Sequence, residues 1–423
     1  MTKIKLDLVA VPLSGHLYPM LQMVVPLLED PQFEIRLYTG PQKLVMAEEL
    51  GFTVKSFLRS QEDLERFERL ANPNKANNLY RSYKQLVDST LFMKDLKAYF
   101  RKEWEEERPD IVLCDFITLS PALVCQDMGI PYLTSMATQF ALDTKSGPPA
   151  FFGGLSSDQL GLRSLRNKLA NGLNRLMKKL LFTQVKQNLA PLASAYDAQG
   201  FETIYSPYSI LGLGMEELEL KKGFPDHYRW AGPSMPSFEE AEDLSFDWPG
   251  DKKKVLITCG TQLPWGKRYL MEVGEALAEA YPDIYFIVTL GQKEAVLMES
   301  PFDNLEVVSY LPYDRYLPEM DAVIHHGGAG IFYHCIKFGI PALIMPFAYD
   351  QPDFAQRGQE AGVALRVDKD NIPRIKTALT DLLEGDWPRL KELEAAYKNY
   401  DPSKILRQEM DRLLGIKEEE RKT

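Results

Sequence analysis

Val323-Ile324-His325-His326-Gly327-Gly328-Ala329-Gly330 joins a β-branched run to a glycine-rich turn, and an apolar segment of helical spacing follows it as far as Gly339-Ile340-Pro341. A strand–turn–helix passage of this kind leaves the first backbone N–H groups of the helix unpaired and aims them, with the positive end of the helix dipole, at one point. An anion is stabilised there. The glycines let the backbone approach a diphosphate without interference from Cβ atoms, and the two histidines add side-chain donors beside the same oxygens. A metal is the competing ligand, but no Cys, Asp or Glu adjoins the histidines, and neighbouring side chains at a strand end point to opposite faces. Taken alone, either histidine could be a core residue satisfied by its own turn.

Working outward, residues 6–12 form an apolar strand that ends at Leu13-Ser14-Gly15-His16, with helical spacing from Pro19 to Leu28. Strands are expected over 33–38, 54–57, 109–115 and 130–135, and a helix over 121–128 is closed by Gly129. The second half repeats the alternation, with strands over 254–259, 284–290, 305–309, 321–325 and 342–346 and a helix over 270–281. Strands alternating with helices predict an α/β fold of two doubly wound, Rossmann-like domains facing across a cleft. The N-terminal Rossmann-like domain is expected over 1–225 and a proline-rich acidic linker over 226–250. A C-terminal Rossmann-like domain over 251–395 and a helix with a charged tail over 396–423 complete the division.

At 423 residues the chain suits two domains of roughly 200 residues each. Its formal charge of −11 argues against general binding of nucleic acid, which needs a basic surface. Cys114, Cys125, Cys259 and Cys335 show no paired spacing, and three of them sit in apolar surroundings, as reduced core thiols in a cytoplasmic protein would. The N-terminus lacks the apolar core of a signal peptide, and no window approaches the ~18 apolar residues of a membrane span.

One stretch departs from this acidic whole. Residues 159–196 contain no Asp or Glu, while Arg163, Arg166, Lys168, Arg175, Lys178, Lys179 and Lys186 interleave with leucines at helical spacing. Such a helix either packs on its own domain with a charged outer face or touches an anionic membrane, and peripheral contact through 159–190 is one expectation.

The ordered set of motifs resembles the UDP-sugar-dependent glycosyltransferases of the B fold (glycosyltransferase family 1), near their bacterial macrolide-glycosyltransferase-like branch. The resemblance covers nearly the whole chain. It rests on Gly15-His16-x-x-Pro19, on Pro109-Asp110 through Cys114-Asp115 with Gly129-Ile130-Pro131, on Gly260-Thr261, and most on His325 to Gly330 with Gly339-Ile340-Pro341, Pro346 and Asp350-Gln351-Pro352. It implies that His16 is the general base, oriented by Asp115, and that the donor diphosphate is held by Thr261, His325 and the segment Gly328, Ala329, Gly330 and Ile331. It implies further that Asp350 and Gln351 bind a hexose, glucose in this reading, and that Tyr310 and Leu311 meet the uracil base. An imidazole after a strand end has a pKa suited to taking a hydroxyl proton.

The expected reaction is metal-independent displacement with inversion, using a nucleotide-sugar cosubstrate, a small apolar acceptor and no cofactor. The only D-x-D string, Asp368-Lys369-Asp370, reads as a solvated helix-start signal. Ile331 departs from the family pattern, which carries a small hydroxylated residue there. Tyr310 stands where a tryptophan is usual, and the loop with Pro148-Pro149 and Gly153-Gly154 is expected on the acceptor side. Competing readings are a UDP-sugar epimerase of the same fold, which would want carboxylates in place of His16 and Asp115, and a catalytically silent partner protein that binds a nucleotide or lipid. An NAD-dependent oxidoreductase is disfavoured because the first strand leads into Pro-Leu-Ser-Gly-His and not G-x-G-x-x-G.

Overall fold

The computed structural model describes residues 3–71, 79–157, 162–236, 248–260, 266–291 and 300–416. Two parallel sheets organise them. The first has seven strands, β1 (Ile4–Val9), β2 (Phe33–Thr39), β3 (Thr53–Ser56), β4 (Ile111–Asp115), β5 (Tyr132–Met136), β6 (Ile210–Gly212) and β7 (Tyr228–Trp230), in the order β3-β2-β1-β4-β5-β6-β7. The helices between them are α1 (Ser14–Val24), α2 (Leu44–Glu49), α3 (Gln61–Ala71), α4 (Leu79–Glu106), α5 (Leu119–Met128) and α6 (Leu162–Val185). Gly129 ends α5 in the left-handed conformation, as its sequence position predicts.

The second sheet has six strands, β8 (Lys253–Thr258), β9 (Ile284–Thr289), β10 (Leu305–Val308), β11 (Ala322–His325), β12 (Ala342–Ile344) and β13 (Ala364–Arg366), in the order β10-β9-β8-β11-β12-β13. With it go α7 (Gly266–Ala280), α8 (Tyr313–Tyr316), α9 (Ala329–Lys337), α10 (Gln351–Glu360), α11 (Ile372–Glu384), α12 (Pro388–Tyr397) and α13 (Pro402–Leu414). Every strand pair is parallel, and apolar strands buried on both faces need helices on both sides.

In each sheet the strand order reverses at one place, between β1 and β4 and between β8 and β11. Ligands of open α/β sheets bind at such switch points. His16 lies just past β1 and Asp115 ends β4; the residues that follow β8 and β11 are Gly260 and the glycine turn.

Two expectations need correction. Tyr228–Trp230 forms the edge of the first sheet, so the segment expected as linker begins with a strand of the N-terminal domain. Its acidic middle, residues 237–247, lies outside the described residues. The second correction concerns His16, which belongs to the first turn of α1 and not to a loop, because the helix starts at Ser14. Pro19 is tolerated one turn further on, within the helix.

The domains share buried surface. Phe140, Met215 and Leu218 of the first half join Phe332, Tyr333 and Phe354 of the second in one apolar cluster, and each large side chain so buried stabilises by about 1.5–3 kcal/mol. Polar ties cross as well: Gln139 Nε2 donates to Tyr333 Oη at 2.9 Å, and the Arg357 guanidinium meets Glu219 where both side chains are 1% exposed. Finally α13 returns to the first domain, where Leu406 and Met410 pack with Leu17 and Leu21 of α1.

Candidate active site

A cavity of about 1010 Å³ runs between the two domains, and both switch points open into it. On the first-domain side His16 lines the cavity while Asp115, 1% exposed, stands behind it with Oδ1 3.1 Å from His16 Nδ1. Phe116 stacks on the imidazole, with ring centroids 5.2 Å apart. Burial lowers the pKa of His16, but the charge and hydrogen bond of Asp115 raise it more, so the ring titrates above its ordinary value of 6.5. Asp115 also accepts from the backbone N–H of Ile117 at 3.3 Å, a bond that fixes the carboxylate against the ring.

Across the cavity α9 begins with Gly328 as its N-cap residue, and Gly328, Ala329, Gly330 and Ile331 all line the space. Glycine matters here. A Cβ on Gly328 would lie 2.5 Å from His326 Nε2, and one on Gly327, whose φ is +91°, would meet the Gln351 carbonyl at 2.9 Å. The Ile331 side chain, 3% exposed, turns into the apolar cluster with Phe332 and Tyr333. What this position offers an anion is therefore its backbone.

The two histidines divide their roles otherwise than expected. His325, the residue assigned to the diphosphate, is fully buried and does not line the cavity; its Nδ1 accepts the Gly327 N–H at 3.0 Å, and burial holds its pKa well below 6.5. It braces the turn. His326 lines the cavity instead, beside Gly260 and Gly328, and burial brings its pKa down to about 4, against a smaller opposing pull from the Thr258 backbone. A neutral imidazole with one N–H remains near neutral pH. Alternation along the strand already separates the two rings, but it does not say which of them faces the ligand.

Asp350 and Gln351, at the start of α10, line the cavity too. Asp350 Oδ2 accepts from Thr138 Oγ1 of the first domain at 2.9 Å, and burial raises its pKa. Gln351 Oε1 is occupied by the N–H groups of Phe347 and Ala348 at 2.8 and 3.0 Å, which leaves its Nε2 as the group for a ligand. Tyr310 and Leu311 line the same space, and Thr261 lies outside the described residues.

Several lining groups escaped the sequence reading. Tyr313 bonds Thr258 Oγ1 at 2.9 Å, and Asp314 is held by Lys337 Nζ at 2.6 Å and His334 Nε2 at 3.4 Å. Burial would raise the Asp314 pKa, but those hydrogen bonds outweigh it and carry it down to about 2. Four-residue α8 brings them together, and no spacing in the sequence announces it. No group of three or more His, Cys, Asp or Glu able to hold a metal gathers among the described residues. Asp370 of the D-x-D string is instead engaged by its neighbour Lys369, just before α11.

Two parallel α/β domains with their switch points turned to one cavity make up the B fold. Residues 274–399 match the family described as Erythromycin biosynthesis protein CIII-like, C-terminal domain. UDP-glucosyltransferase A1 of Starmerella bombicola is 27% identical over 45% of this chain and 42% of its own length, and NDP-glycosyltransferase YjiC of Bacillus subtilis is 21% identical over 88% and 86%. Across the first such relatives the match covers half of the relative's length or less. The crystal structure of the glycotransferase of kitacinnamycin superposes over 97% of this chain and 99% of its own, with a TM-score of 0.70 and 19% identity. The chain has the B fold of these glycosyltransferases, and its sequence likeness to their macrolide-glycosyltransferase-like branch lies in residues 274–399.

Proposed function

We propose that the protein transfers a hexose from a nucleoside diphosphate, UDP-glucose in the first instance, to the hydroxyl of a small apolar acceptor, with inversion and without a metal. The observation that carries this reading is the meeting of the His16–Asp115 pair and the glycine-fronted start of α9 in one cavity, each from a different domain. Because Asp115 holds Nδ1, the imidazole presents Nε2 as the basic nitrogen. The acceptor hydroxyl gives its proton to Nε2, and its oxygen bonds to the anomeric carbon. The bond from that carbon to the β-phosphate oxygen breaks, and its electron pair leaves with the nucleoside diphosphate. The backbone amides of Gly328 to Ile331 meet the charge that develops, while Asp115 stabilises the imidazolium.

Asp350 and the free Nε2 of Gln351 would bind the sugar hydroxyls, and Tyr310 would stack on the base. Incubation with UDP-glucose and dTDP-glucose against a panel of phenols, macrolides and sterols, read by mass spectrometry, tests the assignment. Product from the wild type in EDTA, with none from His16→Ala, is the expected outcome. Undiminished turnover by His16→Ala would remove the base, and full loss in EDTA restored by manganese would remove the metal-free mechanism.

A further inference from the structure

Helix α6 turns one side to the cavity and an apolar stripe to water. Inward, Asn174, Leu181 and Val185 line the cavity, and Lys178 lines it while paired with Asp143 at 3.1 Å and with Glu202. Outward, Leu162, Leu165, Leu169, Leu173, Leu176 and Leu180 recur every three or four residues along one stripe, and each is more than half exposed. At 100° per residue that stripe lies opposite the cavity-facing side. Six leucines in water along a 24-residue helix are an unusual exposure for a surface with no partner.

Charge identifies what covers them. Lys168 and Lys179 lie along one flank of the stripe, Arg166 along the other and Lys186 just past the helix end, all exposed, within a stretch that has no acidic residue, in a chain whose formal charge is −11. A second copy docking on this face would set lysines against lysines. An anionic lipid surface accepts both the leucines and the basic flanks, and it repels the rest of the molecule, so the protein meets it α6 first. The loop before α6 adds Phe151, which lines the cavity and is 55% exposed.

We propose that the outer stripe of α6 seats the protein on an anionic membrane, and that the acceptor is a hydroxylated lipid dissolved there, which reaches His16 past the inner side of the same helix. This rests on the acceptor half of the function proposed above. The buried pairing of Lys178 makes it a poor probe, because its loss would disturb the cavity wall.

The test is flotation of the full chain with phosphatidylcholine vesicles, with and without phosphatidylglycerol. It compares the wild type with Leu165→Ser/Leu169→Ser/Leu173→Ser and with Lys168→Glu/Lys179→Glu/Lys186→Glu. The wild type floats with anionic vesicles only, and each variant loses at least about tenfold in partitioning. Their affinity for UDP and their transfer to a water-soluble phenol stay unchanged, whereas transfer to a sterol carried in the vesicles falls with partitioning. A wild type that stays unbound, variants that float equally, or a wild-type dimer that the serine variant splits would each overturn the proposal. Flotation without any binding of UDP would instead remove the glycosyltransferase reading and leave the lipid surface standing.

Discussion

The two halves of the cavity are built by different means. The second domain works with backbone: a glycine turn, the first N–H groups of α9, and a buried histidine that fixes the turn. The first domain works with side chains, setting the His16–Asp115 pair at the switch point and walls drawn from α4 and α6. A diphosphate is one fixed shape with fixed charge, which amides can fit once and for all. An acceptor varies, and a wall of helix side chains can change without disturbing a strand.

This contrast can be broken by substitution. His16→Ala should cost about 10²–10⁴-fold in transfer while nucleotide affinity, read by calorimetry, stays as it is. Equal loss in both would mean that the base also supports the donor. Arg357→Ala should lower stability by about 3–5 kcal/mol in denaturant titration, since it strands Glu219 in a buried interdomain contact. A fall of a few tenths would show the domains to be held by apolar contacts alone.

Gly328→Ala and His326→Ala should each weaken UDP binding by about tenfold, whereas His325→Ala should chiefly lower the melting temperature. If His325→Ala abolished binding with no change in melting, the division between the two rings would be wrong. The smallest effect concerns pH. In the proposed mechanism the neutral ring of His16 is the active form, so transfer should rise as pH climbs through a pKa that lies above 6.5. Asp115→Asn removes the pull that raises it, and the acid limb of the rate profile should move to lower pH.

What the sequence made legible follows the same division. Parallel strands buried on both faces leave continuous apolar runs, and the glycine turn must be glycine because Gly327 and Gly328 have neighbours where a Cβ would sit. The short strands β6, β7 and β13 were missed, having three residues each and no period to count. Both histidines were candidates, and the diphosphate was assigned to His325 and not to His326 because facing direction depends on how the turn leaves the strand. Thr138, which reaches Asp350, and the Asp314–His334–Lys337 cluster arise only from packing between distant segments.

Calorimetric titration of the wild type with UDP and with dTDP bears most directly on the claim that the second domain grips a nucleoside diphosphate for the first to use. Binding of at least one of them at a single site, weakened in Gly328→Ala and retained in His16→Ala, is the predicted result. No heat from any nucleoside diphosphate would contradict it.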